Sequence, residues 1–461
     1  MSKIFSLLNI KTEIKHSAIL ILPLIATEIF YGINGFVSNV MVAHLGVYQL
    51  AANALVWNIY LAIILFFIGI LSVVSIMTAQ SYGANDAHGI AQNFKQGLIL
   101  AILFSLPITF FVWHMAAMLK FFGQDSKVIF YAVPLFHSYA LCMFPLAILF
   151  TVEQFLLGIG KTRMVLFMSI ITVPIQIFFC YGFLFGKFYL PNLGIIGAGY
   201  SCLIAFIIGD IYLFFYLRNV KSVKIYNLFH KWWHVNRKFI LEMLRVGLPL
   251  GFMWCTEVSL FAVIAFLVGH LGAQTLTAYQ VSYQYFVFAI PVLFAITQAT
   301  MVRVGFEVGQ NNKDNLKRAV VVNVAIGLFF MVIISVVYSI FKTELISVDF
   351  DMHNKNNLPV INLAQQLFSI VCIALLVESF RIIIFGALRG IKDTRFSFLA
   401  SVCGFWCIAF PLIYLSVFKF HFGAVGVWWS LLSGLAATGI IAIARFCVKI
   451  KDMNLTAIVT K

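Results

Sequence analysis

Ionisable side chains are scarce in this chain's long apolar stretches, and the few that occur there define its chemistry. They are Glu28, Glu153, Asp210, Glu257, Glu378 and Arg381, with His114 and His137 nearer the ends of such stretches. A charge in a greasy interior is costly, so a carboxylate held there is a candidate for reversible binding of a proton or a small cation. Glu257 follows Pro249 by about two helical turns and shares a helix face with Trp254 and Phe261. Glu378 and Arg381 stand one turn apart, close enough to pair. Such a pair either satisfies two buried charges or frees the arginine when the carboxyl is neutralised. For each lone acid the competing explanation is an interhelical hydrogen bond that only fixes packing. Glu28 is an accessory candidate, while Glu153 and Asp210 can equally reach an interface or a partner. Large aromatic faces attract flat cations. Tyr31, Trp57, Trp254, Phe261, Tyr279, Tyr283 and Phe286 form the candidate group, with Gln280 and Gln284 as hydrogen-bonding neighbours. Among 49 Phe, 17 Tyr and 8 Trp, no single aromatic carries weight by itself.

The elements that position these residues are membrane helices. The 461 residues are 62% hydrophobic and only 10% charged, with a mean hydropathy of +1.02. A soluble surface needs about a quarter of its residues charged, so soluble enzymes, disordered chains and fibrous repeats are excluded. Twelve apolar runs of spanning length occur, and each must be helical because unpaired backbone groups in hydrocarbon are too costly. The expected fold is all-α and integral to the membrane. A formal charge of +15 does not point to nucleic acid, because the cations sit in short connections rather than in a basic stripe. With the termini and the even-to-odd connections on one side, the other side holds only Lys120, Lys127, Lys187, Lys342, Lys355 and Lys419. The excess of Lys and Arg therefore puts both termini in the cytoplasm. The first run lacks a cleavage-like motif and reads as an uncleaved anchor. The 8 cysteines show no CxxC spacing, so neither a disulfide framework nor a zinc site is expected. No Walker A, HExxH or GxSxG sequence occurs, and the IIGD context of Asp210 lacks a second paired Asp, so the chain is not expected to be an enzyme.

The chain repeats itself. One offset lays Pro23 on Pro249, His44-Leu45-Gly46 on His270-Leu271-Gly272, Gly83 on Gly309 and Asn85 on Asn311. Slightly longer offsets lay Gly158 and Thr162 on Gly390 and Thr394, and Gly194 and Gly197 on Gly423 and Gly426. Two six-helix lobes follow, residues 1–217 and 239–461, joined by a cytoplasmic linker, 218–238, that carries Trp232 and Trp233. Six is even, so both lobes enter the membrane in the same direction and are related by a pseudo-two-fold axis along the membrane normal. Pro23 and Pro249 hold matching positions, where a missing N–H permits a kink; they are candidate hinges, a static kink being the alternative.

The segments LPLIATEIFYGINGFVSNVMVAHLG (Leu22 to Gly46), QSYGANDAHGIAQ (Gln80 to Gln92), RVGLPLGFMWCTEVSLFAVIAFLVGHLGAQTLTAYQV (Arg245 to Val281) and FGALRGIKDTRF (Phe385 to Phe396) resemble the multidrug and toxic compound extrusion (MATE) family. The resemblance covers essentially the whole chain. Its strongest pieces are Pro249 with Glu257 and the turn from Leu388-Arg389-Gly390 to Lys392-Asp393. It implies two lobes around a central cleft and a secondary active multidrug exporter, exchanging protons or sodium ions for organic cations by alternating access. Coupling would then fall on Glu257 and Glu378, with Arg381 and Glu28 beside them, and the aromatic group would line the cleft. No cofactor is implied, and no metal beyond a sodium ion. The partners are the lipid bilayer and amphipathic organic cations, the setting a bacterial inner (plasma) membrane, and the expected state a monomer. Two positions depart from the family. Ser38 stands where many members carry a titrating Asp, and Ala374 where a relative with a sodium site can carry Tyr, which weakens a sodium reading. Glu28 lies about 15 Å along the helix from Ser38, too far to replace it. The alternative is a flippase for a lipid-linked oligosaccharide, whose cleft would commonly hold several cations; Arg381 is the clear intramembrane one here.

Overall fold

The computed structural model describes residues 7–121, 123–230, 233–350, 352, 354 and 357–452. Trp232 and Lys355 lie outside the described residues. Every regular element described is helical. Among the described residues, twelve helices are long and apolar enough to cross a membrane: α1 Ile10–Ala43, α2 Val47–Gly83, α3 Ala87–Leu119, α4 Ser126–Gly158, α5 Thr162–Phe185, α6 Ile196–Asn219, α7 Arg237–Gly269, α8 Ala273–Gly309, α9 Lys313–Ile340, α10 Leu358–Gly390, α11 Thr394–Lys419 and α12 Gly423–Lys451. The shortest have 24 residues, about 36 Å of helix against a hydrocarbon layer of about 30 Å. The twelve spans read from hydropathy are therefore all present.

The internal repeat is visible atom by atom. His44 Nδ1 meets the Val40 carbonyl at 2.8 Å, and His270 Nδ1 meets that of Phe266 at 3.0 Å. Asn85 and Asn311 both close the turn after their helix at positive φ, 55° and 56°. Asn tolerates that left-handed backbone better than most side chains, which accounts for its presence at both places. A Cβ on Gly158 would lie 3.0 Å from the Ser75 carbonyl oxygen, and one on Gly390 would lie 2.8 Å from that of Met301. Ser75 and Met301 are themselves repeat partners, so α4 on α2 and α10 on α8 use the same close crossing.

The chain forms two compact units, one of residues 22–251 and one of residues 1–21 with 252–461. Helices α1 and α7 are thus each shared, and both borders fall beside the repeated prolines, Pro23 and Pro249. Within the first unit, Gln96 of α3 clamps the end of the linker, donating to the His234 carbonyl at 2.8 Å and accepting from the Asn236 N–H at 3.0 Å. The second unit has a core cluster that includes Met253, Val304, Val308, Leu316, Phe385 and Leu388. In that unit α11 departs from α-helical geometry, with π-helical turns at Cys403–Ala409 and Leu415–Lys419. Such turns occur frequently at functional sites.

Candidate functional site, a buried carboxylate and guanidinium cluster

Helix α10 is apolar on nearly every side, so the face bearing Glu378 and Arg381 is forced into the protein interior. The two are 4% and 2% exposed. One turn apart, they form a fork: Nε of Arg381 donates to Oε2 of Glu378 at 2.7 Å, and Nη2 donates to Oε1 at 2.6 Å. The same guanidinium reaches across to α7. There Glu257, 7% exposed, accepts from Nη1 on Oε1 at 2.8 Å and from Nη2 on Oε2 at 3.3 Å. One arginine therefore bridges two buried carboxylates, which leaves one negative charge in excess among the three. Charge-assisted, planar pairing of this kind is what makes such a cluster tolerable in a low-dielectric interior.

Helix α11 completes the site. Ser401 Oγ donates to Oε1 of Glu257 at 3.0 Å, and the indole N–H of Trp406 donates to the Thr256 carbonyl at 3.2 Å. The Arg381 guanidinium lies 5.4 Å from the Phe385 ring and 5.2 Å from the Phe405 ring. On α12, Gly439 faces the Arg381 backbone and Cβ. Replacing Ser401 with Ala removes one of two donors to Glu257 Oε1. It is expected to lower stability by about 1 kcal/mol, read by thermal unfolding in detergent, with Ser401→Thr restoring most of it.

Nearer the end of α10, Arg389 is 7% exposed and sits 5.3 Å over the Trp254 ring. Its Nη2 reaches the sulfur of Met253 at 3.7 Å, and its Nε is buried without a hydrogen-bond partner among the described residues. Glu257 acts on it electrostatically. A separate buried cluster joins Arg303 of α8 to Glu13 of α1, with bonds of 2.9 and 2.8 Å, and to Glu307 at 2.7 Å. Both clusters lie within the same compact unit.

The acids of the other unit gather differently. Tyr31 Oη donates to Oε1 of Glu153 at 3.0 Å, and Glu28 and Asp210 are close enough to act on Glu153 electrostatically. Of the aromatic candidates, Tyr31 and Trp57 belong to this unit and are surface-exposed. The others belong with the ion cluster. Phe261 packs 5.2 Å from Tyr283 and 6.4 Å from both Phe286 and Phe405, while Tyr279 stacks 6.0 Å from Tyr283. Tyr279 and Phe286 are buried against Trp428, whereas Gln280 and Gln284 are exposed. Trp254 is half-buried and packs 4.8 Å from Phe294. A ring path thus runs from Tyr279 through Tyr283, Phe261 and Phe405 to Arg381. The sequence alone does not place Ser401 or Phe405 at a site, and it marks Arg389 only as part of the turn after α10. Ser401 and Phe405 are ordinary in a membrane helix, and only folding brings them to the cluster. Arg389 carries a signal, a cation at the end of an apolar run, but its position beside the turn gives no reason to bury it.

Two six-helix repeats with an intramembrane ion cluster define a membrane transporter rather than an enzyme. The MatE family profile matches residues 23–182 and 249–415, two stretches that begin on the repeated prolines. The chain belongs to the MatE family. It is 28% identical to a probable multidrug resistance protein NorM of Rhizobium meliloti over 94% of this chain and 93% of the relative. A NorM of Synechocystis is 27% identical, over 97% of each. Among solved structures, an outward-facing multidrug resistance MATE transporter superposes with a TM-score of 0.88 at 16% identity, covering 95% of this chain and 96% of that one. The eukaryotic MATE transporter AtDTX14 gives 0.86 at 17% identity, covering 98% of each.

Proposed function

We propose that the chain is a secondary active multidrug exporter of a bacterial inner membrane, with both termini cytoplasmic. A proton or sodium ion loads the cluster of Glu257, Arg381 and Glu378, and organic cations leave in exchange by alternating access. The observation that carries this reading is the arginine shared between two buried carboxylates. One monovalent cation neutralises that cluster. Its arrival changes what Arg381 and Ser401 can bond to, and so how α7, α10 and α11 hold one another. A ligand shifts a conformational equilibrium only through such differential contacts. The ring path ending on Phe405 would carry the change to the aromatic group, where a flat organic cation has faces to bind.

Three further observations support the reading. The relatives just described bear multidrug resistance names. The borders of the two compact units fall beside Pro23 and Pro249, which suits those residues as hinges. Arg381, the cation that a flippase for an anionic headgroup would use, already spends its donors on two carboxylates. The test is dye efflux in inverted membrane vesicles under an imposed pH or sodium gradient. The unmodified protein is expected to follow one of the two gradients. Glu257→Gln is expected to lose that response while inserting normally; equal gradient-driven efflux by both would refute the assignment.

A further inference from the structure

Resting on the reading of the chain as an exporter of aromatic solutes, we propose that Arg389 is a ligand site of its own, the seat of a carboxylate carried by such a solute. Two other buried arginines of the same compact unit show what such a group receives when the fold supplies it. Through the edge made by Nε and Nη2, Arg381 holds Glu378 at 2.7 and 2.6 Å, and Arg303 holds Glu13 at 2.9 and 2.8 Å. The same edge of Arg389 meets no carboxylate among the described residues: its Nε has no partner, and its Nη2 has the Met253 sulfur, a weak acceptor. The acids near it in the chain or in space are committed elsewhere. Asp393, four residues on, accepts from Arg445 Nε at 2.8 Å. Glu257 gives its oxygens to Arg381 and Ser401 and acts on Arg389 only through its charge.

Purely structural roles leave this side chain unexplained. A cation in the last turn of a helix is favoured by the helix dipole, but that interaction needs no burial, and Arg389 is 7% exposed. The close crossing of α10 on α8 needs no cation either. The offset that lays Gly158 on Gly390 lays Leu157 on Arg389, and Leu157 is 1% exposed at the equivalent crossing of α4 on α2. A free guanidinium edge takes a carboxylate through two parallel N–H···O bonds. Burying the cation without that partner is costly, and a ligand that brings the negative charge removes the cost. The aromatic half of the assignment comes from Trp254. It is half-buried, and its ring lies 5.3 Å from the guanidinium and 4.8 Å from the Phe294 ring. A flat ring bearing the carboxylate gains from these faces, whereas the acyl chain of an anionic lipid does not.

The experiment compares rhodamine 110, which has a free carboxylate, with rhodamine 123, its methyl ester, by fluorescence anisotropy at neutral pH on the purified full-length protein in nonionic detergent. The unmodified protein should bind rhodamine 110 about tenfold more tightly or better, as a charge-assisted pair implies. That comparison needs no variant. Arg389→Gln should weaken rhodamine 110 by about the same factor and leave rhodamine 123 within about twofold. Arg389→Lys keeps the charge but not the fork and should fall between the two. Gel filtration checks the folding of both variants. Equal affinities for the two dyes in the unmodified protein overturn the site, as does a preference for the free carboxylate that survives both substitutions. Equal weakening of both dyes in a variant that elutes normally also overturns it, since Arg389 would then only hold helices together. Phosphatidylglycerol added to the micelles should leave the preference in place; abolition of the preference would make a lipid headgroup the occupant and overturn the assignment to a solute. The exporter reading fails separately. It falls if gradient-driven efflux of rhodamine 123 is absent, and it stands if only the preference for rhodamine 110 is missing.

Discussion

Arg381→Met is expected to destabilise the protein by about 3–5 kcal/mol, the range found when one partner of a buried pair is removed. The side chain is 2% exposed and its guanidinium makes four hydrogen bonds to Glu257 and Glu378. Met fills much of the same volume but offers no donor, so two carboxylates would face each other in an apolar interior, with the Ser401 hydroxyl still bonded to Glu257. The cost is electrostatic rather than steric, and that makes it separable. Adding Glu257→Gln and Glu378→Gln to the same chain removes both orphaned charges and is expected to recover most of the loss, so the three changes together should cost far less than their sum. Acidification should also favour the single variant, because protons neutralise the carboxylates that Arg381 no longer balances. Thermal unfolding in detergent, with and without the two Gln substitutions, reads all three. A melting temperature for Arg381→Met alone that matches the unmodified protein would mean that the ion pair contributes nothing to the folded state.

The helices and their number were legible because membrane hydrocarbon permits so few solutions. An apolar run long enough to span must be a helix, and a repeated Pro, His-Leu-Gly and Asn pattern fixes which helices correspond. The Glu378–Arg381 pair was legible for a similar reason, since residues three apart on a helix share a face whatever surrounds them. Its connection to Glu257 was not. No spacing rule relates residues on α7 and α10, and the bridge exists only because the guanidinium has a second edge to offer across the helix interface. The same limit hid Ser401 and Phe405, which become informative only when α11 is laid against the cluster. Arg303 and Glu13 are further apart still in the chain, and their pairing depends on the first turns of α1 packing within the unit that contains α8. Repeat symmetry gives no help with either cluster. The two halves share backbone crossings at Gly158 and Gly390, but the polar residues placed on that common frame have diverged.

Substituting the glycines where α7 meets α2 is expected to have the second largest effect, and for a steric reason. Gly247 and Gly251 are spaced one turn apart on α7 and face Gly69 and its neighbours on α2. A Cβ on Gly69 would lie 2.7 Å from the Gly251 Cα, one on Gly251 would lie 2.7 Å from the Phe66 carbonyl oxygen, and one on Gly247 would lie 2.5 Å from that of Ile70. Each of these obstacles includes backbone, so no side-chain end can swing away and the helices themselves must separate. Small residues at such a crossing let membrane helices approach closely, where dispersion and weak contacts hold them together. Overpacking a well-fitted interior typically costs about 1–3 kcal/mol, and a β-branched side chain against backbone belongs at or above the upper end. Gly69→Val and Gly251→Val should therefore each strongly lower the melting temperature, Gly251→Ala less so. The two Val substitutions together should cost clearly less than the sum of the singles, because once one has forced the helices apart the second enters space already opened. Full additivity would sink the shared-contact explanation. Helix α7 is held by this seam on one side of the Gly251/Phe252 border and by the Glu257 bridge on the other. The Val variants should accordingly unfold more easily without acquiring the acid rescue of Arg381→Met, which separates the two sources of stability within one helix.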